Sequence, residues 1–423
     1  MKKLLKKITA LICVLMLVIS VSGCSIILDT DPETNAEYEL VTVDVSLSKQ
    51  YIFRDTKDYT AQPVVNQVRF YTNGVTEDYD SYEKAAKDVM RSVVEIILLD
   101  NLGNHYAYGS GVIVDIDGGL DDNEYYIVTC HHIVSSAENI AVCVPDANAR
   151  NYGDVDYDER YMFTGYIGGD KQTNSDLAVS LVGGDVDSDI AVLKLKVGNS
   201  SLDIQKAPVP ATNQNELKYA QQVFAIGNPS GKLPMTFLGG NISYIDRTVV
   251  LDGIGYMNVI QHDTMITHGS SGGALFNMKG QLIGITNAGS DTYKGMNYAI
   301  PYYGIDGYLF VAKQLIKNST PTNYGYVEGR WSLGVTITDT TATIKGSSVK
   351  VVSVETGSNV SGLLKKNDYI VKIEFNTYGG ETYSEEITSS YDFKGMIFLA
   401  REALVVGDTI RITVAREKLL SLL

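Results

Sequence analysis

Apolar residues along this chain come mostly in short runs broken by Gly, Asn and Asp. Such runs lie at 111–114, 125–129, 140–144, 190–195, 223–226 and 282–285. Short β-like runs separated by turn signals predict a barrel or sandwich and argue against a parallel α/β sheet. Two helices interrupt the series. One, at 82–90, leads into Ser92-Val93-Val94-Glu95-Ile96-Ile97; the other, at 308–317, follows Tyr298-Ala299-Ile300-Pro301. The polar stretch 318–324 reads as a linker. These patterns divide the chain into a tether and unassigned β-rich segment at 24–80, a large unit at 81–318 and a smaller β-rich unit at 325–418. No solenoid-type repeat is present.

The first residues pattern differently. Lys2, Lys3, Lys6 and Lys7 form a cationic start, and the apolar run 8–21 follows. That run is too short for roughly 30 Å of hydrocarbon but suits a secretory leader. It ends in Val21-Ser22-Gly23-Cys24, which resembles a bacterial lipobox. This implies removal of residues 1–23, lipidation of Cys24 and an extracytoplasmic, membrane-anchored protein. The cut deletes four lysines and no acid, taking the net charge from −15 to −19. A body so acidic is held at a membrane by its lipid and not by attraction to anionic headgroups.

The length of 423 residues accommodates two folded units plus flanking segments, and 44% hydrophobic residues exclude global disorder. Lys plus Arg number 35 against 50 Asp plus Glu, a balance that repels phosphate backbones and excludes nucleic-acid binding as the main role. Four cysteines cannot build a disulfide-dense scaffold, and the five histidines include no HExxH pair. With no clustered CxxC either, no metal or cofactor is expected. Asp115, Asp117, Asp121, Asp122 and Glu124 miss the EF-hand spacing and read as an acidic hairpin turn.

Three motifs carry chemistry. In Gly269-Ser270-Ser271-Gly272-Gly273 the glycines allow a tight turn that exposes a hydroxyl beside converging N–H groups, a hollow able to hold an oxyanion. Alone, such a loop is usually only a turn. Upstream, in order, stand Thr129-Cys130-His131-His132-Ile133-Val134 and Ser188-Asp189-Ile190-Ala191-Val192-Leu193-Lys194. Together with Ala225-Ile226-Gly227-Asn228-Pro229, these resemble the trypsin-fold serine proteases, most closely the HtrA family, with its T-N-x-H-V, D-I-A-V-L-K, G-N-S-G-G-P-L and A-I-G-N-P motifs. The chain order His…Asp…Ser is that of chymotrypsin. The resemblance runs from about 92 to 318. It implies a mainly β protein: a trypsin-like double six-stranded antiparallel β-barrel followed by a PDZ domain. It further implies Ser271 as nucleophile, His132 as general base and then acid, and Asp189 as the group orienting the imidazole. The N–H groups of Gly269 and Ser271 would form the oxyanion hole, with no cofactor and no metal.

Each role has a rival. His131 adjoins His132, but the family pattern places the base directly before Ile133-Val134. Asp176, in Ser175-Asp176-Leu177-Ala178-Val179, echoes the aspartate motif without the following Leu-Lys-Leu. Ser270 fills the x of the G-x-S-G-G frame, which selects Ser271. The chain also departs from the family: Ser270 stands for the asparagine, Ala274 for the proline, and Thr267-His268 for Asn-Pro. No aspartate precedes the nucleophile, so zymogen activation by a new N-terminal amine is not expected. Cys130 and Cys143 read as two buried thiols, with a disulfide as the alternative.

In the smaller unit, Trp331-Ser332-Leu333-Gly334-Val335 resembles the carboxylate-binding loop of an HtrA-type PDZ domain, and Val406-Gly407-Asp408-Thr409-Ile410 resembles its closing strand. Ser332, Leu333, Gly334 and Val335 would then receive a peptide C-terminus while the peptide adds a strand. The insertion 378–391 is longer and richer in Tyr, Thr and Glu than the family pattern. The whole implies an ATP-independent endopeptidase that cleaves unfolded or damaged exported proteins after small aliphatic residues, and homotrimers built through protease-domain contacts. A peptide-holding protein or chaperone without catalysis is the alternative.

Overall fold

The computed structural model describes residues 36–48, 69–70 and 78–418, less stretches at 118–119, 121–122, 136, 145–160, 168–177, 199–203, 211–216, 232, 234, 252–254 and 290–293. The leader, Cys24, Asp121, Asp122 and Asp176 lie outside the described residues. The chain divides into two compact units, Gln50–Arg330 and Met1–Lys49 joined by Trp331–Leu423.

The strand nearest the N-terminus, β1 (Tyr38–Ser46), belongs to the smaller unit, and the larger unit opens with β2 (Arg69–Phe70) and α1 (Tyr82–Val89). Ser81 caps α1 by accepting from the Lys84 N–H at 3.3 Å, which satisfies one of the orphan donors of the first turn. Next come β3 (Val93–Leu99), β4 (His105–Ile113), β5 (Ile116–Asp117), β6 (Glu124–Cys130) and α2 (His131–Val134). Then follow β7 (Asn139–Val144), β8 (Tyr161–Tyr166), β9 (Val179–Asp185) and β10 (Ile190–Lys196). They build an antiparallel sheet in the order β8-β7-β3-β4-β6-β10-β9, seven strands where the resemblance implies six. Strands such as β3 (VVEIILL) are apolar on both faces because both are covered, and six of its seven residues are buried.

The second sheet of this unit is a closed barrel of six strands. They are β11 (Gln222–Gly227), β12 (Thr236–Leu251), β13 (Gly255–His262), β14 (Ala274–Asn277), β15 (Leu282–Gly289) and β16 (Asn297–Pro301). Closure removes the edges that would otherwise pair with other chains. Phe224 stacks on Phe237 at 5.2 Å between ring centres and meets Phe276 at 5.4 Å. The helix α3 (Tyr308–Lys317) follows and buries Tyr308, Leu309, Val311, Ala312, Leu315 and Ile316.

The segment after α3 does not behave as a free linker. Gly325 donates to the Val182 carbonyl at 2.8 Å, and Arg330 is buried against three carboxylates. Its Nε lies 3.4 Å from Asp185 and 4.0 Å from Asp187, and its Nη2 donates to Asp306. Asp185 in turn accepts from the Ser188 N–H at 3.0 Å and hydroxyl at 2.6 Å. The exit of the larger unit is thereby fixed to the turn that precedes Asp189.

The smaller unit is a six-stranded antiparallel sheet covered by one helix. After Trp331 come β17 (Val335–Ile344), β18 (Ser347–Val354), β19 (Tyr369–Asn376), β20 (Thr382–Glu386), α4 (Ser390–Ala403) and β21 (Thr409–Glu417). The order is β1-β21-β19-β18-β17, with β20 on β19. Strand β1 pairs with β21 along its whole length, from Tyr38↔Glu417 to Ser46↔Thr409. The sequence reading leaves 38–46 in an unassigned segment and starts the smaller unit at 325; the structure places this strand in that unit. Its buried partners Val45 and Leu47 pack with Trp331, Val351, Ile370 and Ile412.

Two stability measurements follow. Arg330→Ala leaves Asp185 and Asp187 buried without their cation, so urea unfolding should report a loss of about 3–5 kcal/mol. His262, fully buried on β13, is held neutral because burial pushes its pKa down from 6.5 to about 4, with Asp263 opposing. The unfolded chain therefore binds the extra proton first. Stability should be intact above pH 6.5 and drain away as the pH falls toward 4, by on the order of 3 kcal/mol. His262→Gln should flatten that slope in melting curves taken across the window.

Candidate active site

Strands β6 and β10 run antiparallel with Cys130 opposite Ile190. That register sets Asp189, the residue before β10, beside the first turn of α2. Asp189 is 1% exposed and holds a left-handed backbone, φ +55°, a conformation costly for a residue with a side chain. Three nitrogen donors hold its carboxylate. The His132 N–H reaches Oδ1 at 2.8 Å, His132 Nδ1–H reaches Oδ2 at 2.6 Å, and Asn287 Nδ2 donates to Oδ2 at 2.6 Å. The His131 N–H donates to the Asp189 carbonyl at 2.9 Å, while the ring of His132 meets the carboxylate. With the proton on Nδ1, Nε2 of this half-buried imidazole is left as an acceptor.

The serine loop is held from the opposite side. Gly269 has φ +93°, and a Cβ there would sit 2.4 Å from the Asn228 carbonyl oxygen. Gly272 has φ +84°, and its Cβ would fall 2.1 Å from the Ser110 carbonyl oxygen. Only glycine satisfies both backbone and space. Ser110 organises the turn: its N–H donates to the Ser271 carbonyl at 2.8 Å, its hydroxyl donates to the Gly269 carbonyl at 2.8 Å and accepts from the Asn228 N–H at 3.0 Å. The Thr286 hydroxyl donates to the Ser270 carbonyl at 2.6 Å, and Gly272 N–H donates to the Thr286 carbonyl at 2.7 Å. Among the described residues, the N–H groups of Gly269 and Ser271 donate to no protein acceptor.

Asn287 joins the two halves. A bulge in the pairing of β15 with β16, between Thr286 and Ala288, takes Asn287 out of the ladder. Its carbonyl accepts the Ser271 hydroxyl at 2.7 Å while its side chain holds Asp189. No hydrogen bond joins Ser271 to His132. Asn287 and Ser110 escape the sequence reading because neither lies in a recognised motif, whereas Asn228 was visible as part of Ala-Ile-Gly-Asn-Pro.

Beside Ser270 lies a small, open, largely apolar depression lined by Ala225, Ile226, Leu238, Met265, Ile266 and Thr286. No charged side chain lines it. Cys130 and Cys143 are both buried free thiols. Burial, reinforced by the Asp189 carboxylate, pushes the Cys130 thiol well up, so it stays protonated.

In the smaller unit, Gly334 has φ +70°, and a Cβ there would meet that of Ser358 at 2.2 Å. Asn359 Nδ2 holds the Ser332 carbonyl at 2.8 Å, and the Glu355 N–H holds that of Gly334 at 2.9 Å. Leu333 is buried in the core of this unit together with Phe393, Met396 and Ile397 of α4. Val335 opens β17, which among the described residues pairs with β18 alone.

Residues 109–285 match the family model of the trypsin-like peptidase domain. The chain is 32% identical to a serine endoprotease DegS of Haemophilus influenzae over 198 residues, 46% of each chain. It is 35% identical to a probable periplasmic serine endoprotease, DegP-like, of Halomonas elongata over 233 residues, 54% of this chain and 38% of the relative. To the serine protease Do-like HtrB of Bacillus subtilis it is 28% identical over 319 residues, 70% of this chain and 58% of the relative. The chain thus spans about half the length of the curated relatives it matches. Residues 109–285 are similar to the trypsin-like peptidase domain, and the chain is similar to serine endoproteases of the DegS and DegP-like kind.

Proposed function

We propose that this protein is an extracytoplasmic serine endopeptidase in which Ser271, His132 and Asp189 act together. The observation that carries this reading is the buried Asp189 carboxylate holding His132 as the Nδ1–H tautomer, linked through Asn287 to the Ser271 hydroxyl. Rotation about the Ser271 Cα–Cβ bond moves the hydroxyl from the Asn287 carbonyl to His132 Nε2. The imidazole takes the proton as the oxygen attacks the scissile carbonyl, and Asp189 stabilises the imidazolium. The N–H groups of Gly269 and Ser271 receive the developing oxyanion. His132 then protonates the leaving amine, and water repeats the sequence on the acyl-enzyme. The uncharged depression beside Ser270 suits a small aliphatic side chain before the cut.

The periplasmic relatives support the compartment, and the Cys24 lipobox supports attachment to the membrane. Unfolded or damaged exported proteins are the substrate class, and homotrimers through the peptidase units are the assembly the family suggests. In the smaller unit, Ser332, Leu333, Gly334 and Val335 receive a peptide carboxylate, and the open edge of β17 accepts the peptide as a strand. A second reading, a peptide-holding protein of weak activity, is favoured by the engagement of the Ser271 hydroxyl with Asn287 instead of His132.

A fluorophosphonate probe should label the wild-type protein and spare Ser271→Ala, which should fold normally and lose casein hydrolysis; an unlabelled wild type selects the second reading. Peptides with Ala or Val before the cut should be hydrolysed about tenfold or more faster than those with Arg. Fluorescence anisotropy with C-terminal peptides should show tighter binding for the free carboxylate than for the amide.

A further inference from the structure

Cys130 Sγ, a nitrogen of His132 and a carboxylate oxygen of Asp189 all lie within 4.8 Å of one another. They come from positions that no metal motif connects, brought together by the pairing of β6 with β10. Asn287 faces the same point: its Nδ2 lies 3.7 Å from the Cys130 sulfur and 2.6 Å from Asp189. The other amide atom, Oδ1, is buried and makes no hydrogen bond, in a residue 2% exposed.

We infer that Cys130, His132 and Asp189 form a binding site for a thiophilic divalent cation of the zinc class, which switches the peptidase off. Zinc takes sulfur at about 2.3 Å and imidazole nitrogen or carboxylate oxygen at about 2.0–2.2 Å, in a tetrahedron. In such a tetrahedron the ligand atoms stand roughly 3.3–3.6 Å apart, so the sulfur closes in from a separation of at most 4.8 Å and the 2.6 Å contact between His132 and Asp189 widens. The imidazole is the piece free to move, since 35% of its side chain is exposed against 2% for Asp189. Turning the Asn287 amide over offers Oδ1 as the fourth ligand, in exchange for the Nδ2 bond to Asp189, whose charge the cation then meets. The ligand set of thiolate, imidazole and oxygen selects zinc over magnesium or calcium.

The proton balance explains the inhibition, which rests on the peptidase reading. The thiol releases its proton to solvent as the metal–sulfur bond forms. Coordination through Nδ1 sends the imidazole proton to Nε2. That nitrogen can no longer accept a proton from Ser271, and the nucleophile loses its base.

Binding is tested apart from catalysis, in full-length Ser271→Ala with cobalt(II) as the probe. A thiolate-to-cobalt charge-transfer band should appear with one ion per chain, release about one proton per ion, and be displaced by zinc but not magnesium. It should be lost in Ser271→Ala/Cys130→Ala, whose folding is checked by circular dichroism. In the Ser271 enzyme, zinc should slow both peptide hydrolysis and fluorophosphonate labelling, reversibly with chelator, and Cys130→Ala should need about tenfold or more zinc for the same effect. Absence of the band, its persistence without Cys130, or equal zinc sensitivity of Cys130→Ala overturns the proposal. A band in a protein that hydrolyses nothing upholds the site and refutes the peptidase reading instead.

Discussion

One buried carboxylate governs the rest of the larger unit. An anion at 1% exposure is tolerable only when it is paired and hydrogen-bonded. Asp189 meets that demand with two donors from His132 and one from Asn287. The same bonds that repay its desolvation fix the imidazole tautomer and tie β6, β10 and β15 at one point. Its left-handed backbone is the strain this arrangement carries, and the Arg330 cluster braces the turn that bears it.

The serine loop depends on a complementary principle, the absence of side chains. Gly269 and Gly272 admit the Asn228 and Ser110 carbonyls to distances no Cβ permits. Ser110, on the first sheet, then grips a loop that belongs to the second barrel. The hydroxyl and the two unengaged N–H groups are thus presented by a turn whose carbonyls are nearly all occupied, which is how a flexible Gly/Ser sequence becomes a rigid platform.

Much of this was legible beforehand. Alternation of short apolar runs with turns gives a mainly β chain, and the motifs around His132, Asp189 and Ser271 mark where the site assembles. What was not legible has a common cause: it depends on long-range pairing. Asn287 matters because of a bulge between β15 and β16, and Ser110 because β4 passes under the serine loop; neither position carries a local signal. Strand β8 made the first sheet seven-stranded, and its sequence, Tyr161–Tyr166, shows little apolar period. The segment 38–46 reads as an ordinary β run, and nothing in it announces a partner more than 350 residues away.

That last pairing bears on how the protein is made. The strand Tyr38–Ser46 is synthesised before the larger unit, and Thr409–Glu417 after it. The larger unit can close its sheets from its own residues while the earlier strand waits unpaired. Closing so large a loop carries an entropic penalty that grows slowly with length, but it is lowered once the intervening unit is compact. Order of assembly is thereby written into the connectivity: the inserted unit first, and the sheet that draws strands from both flanking segments last.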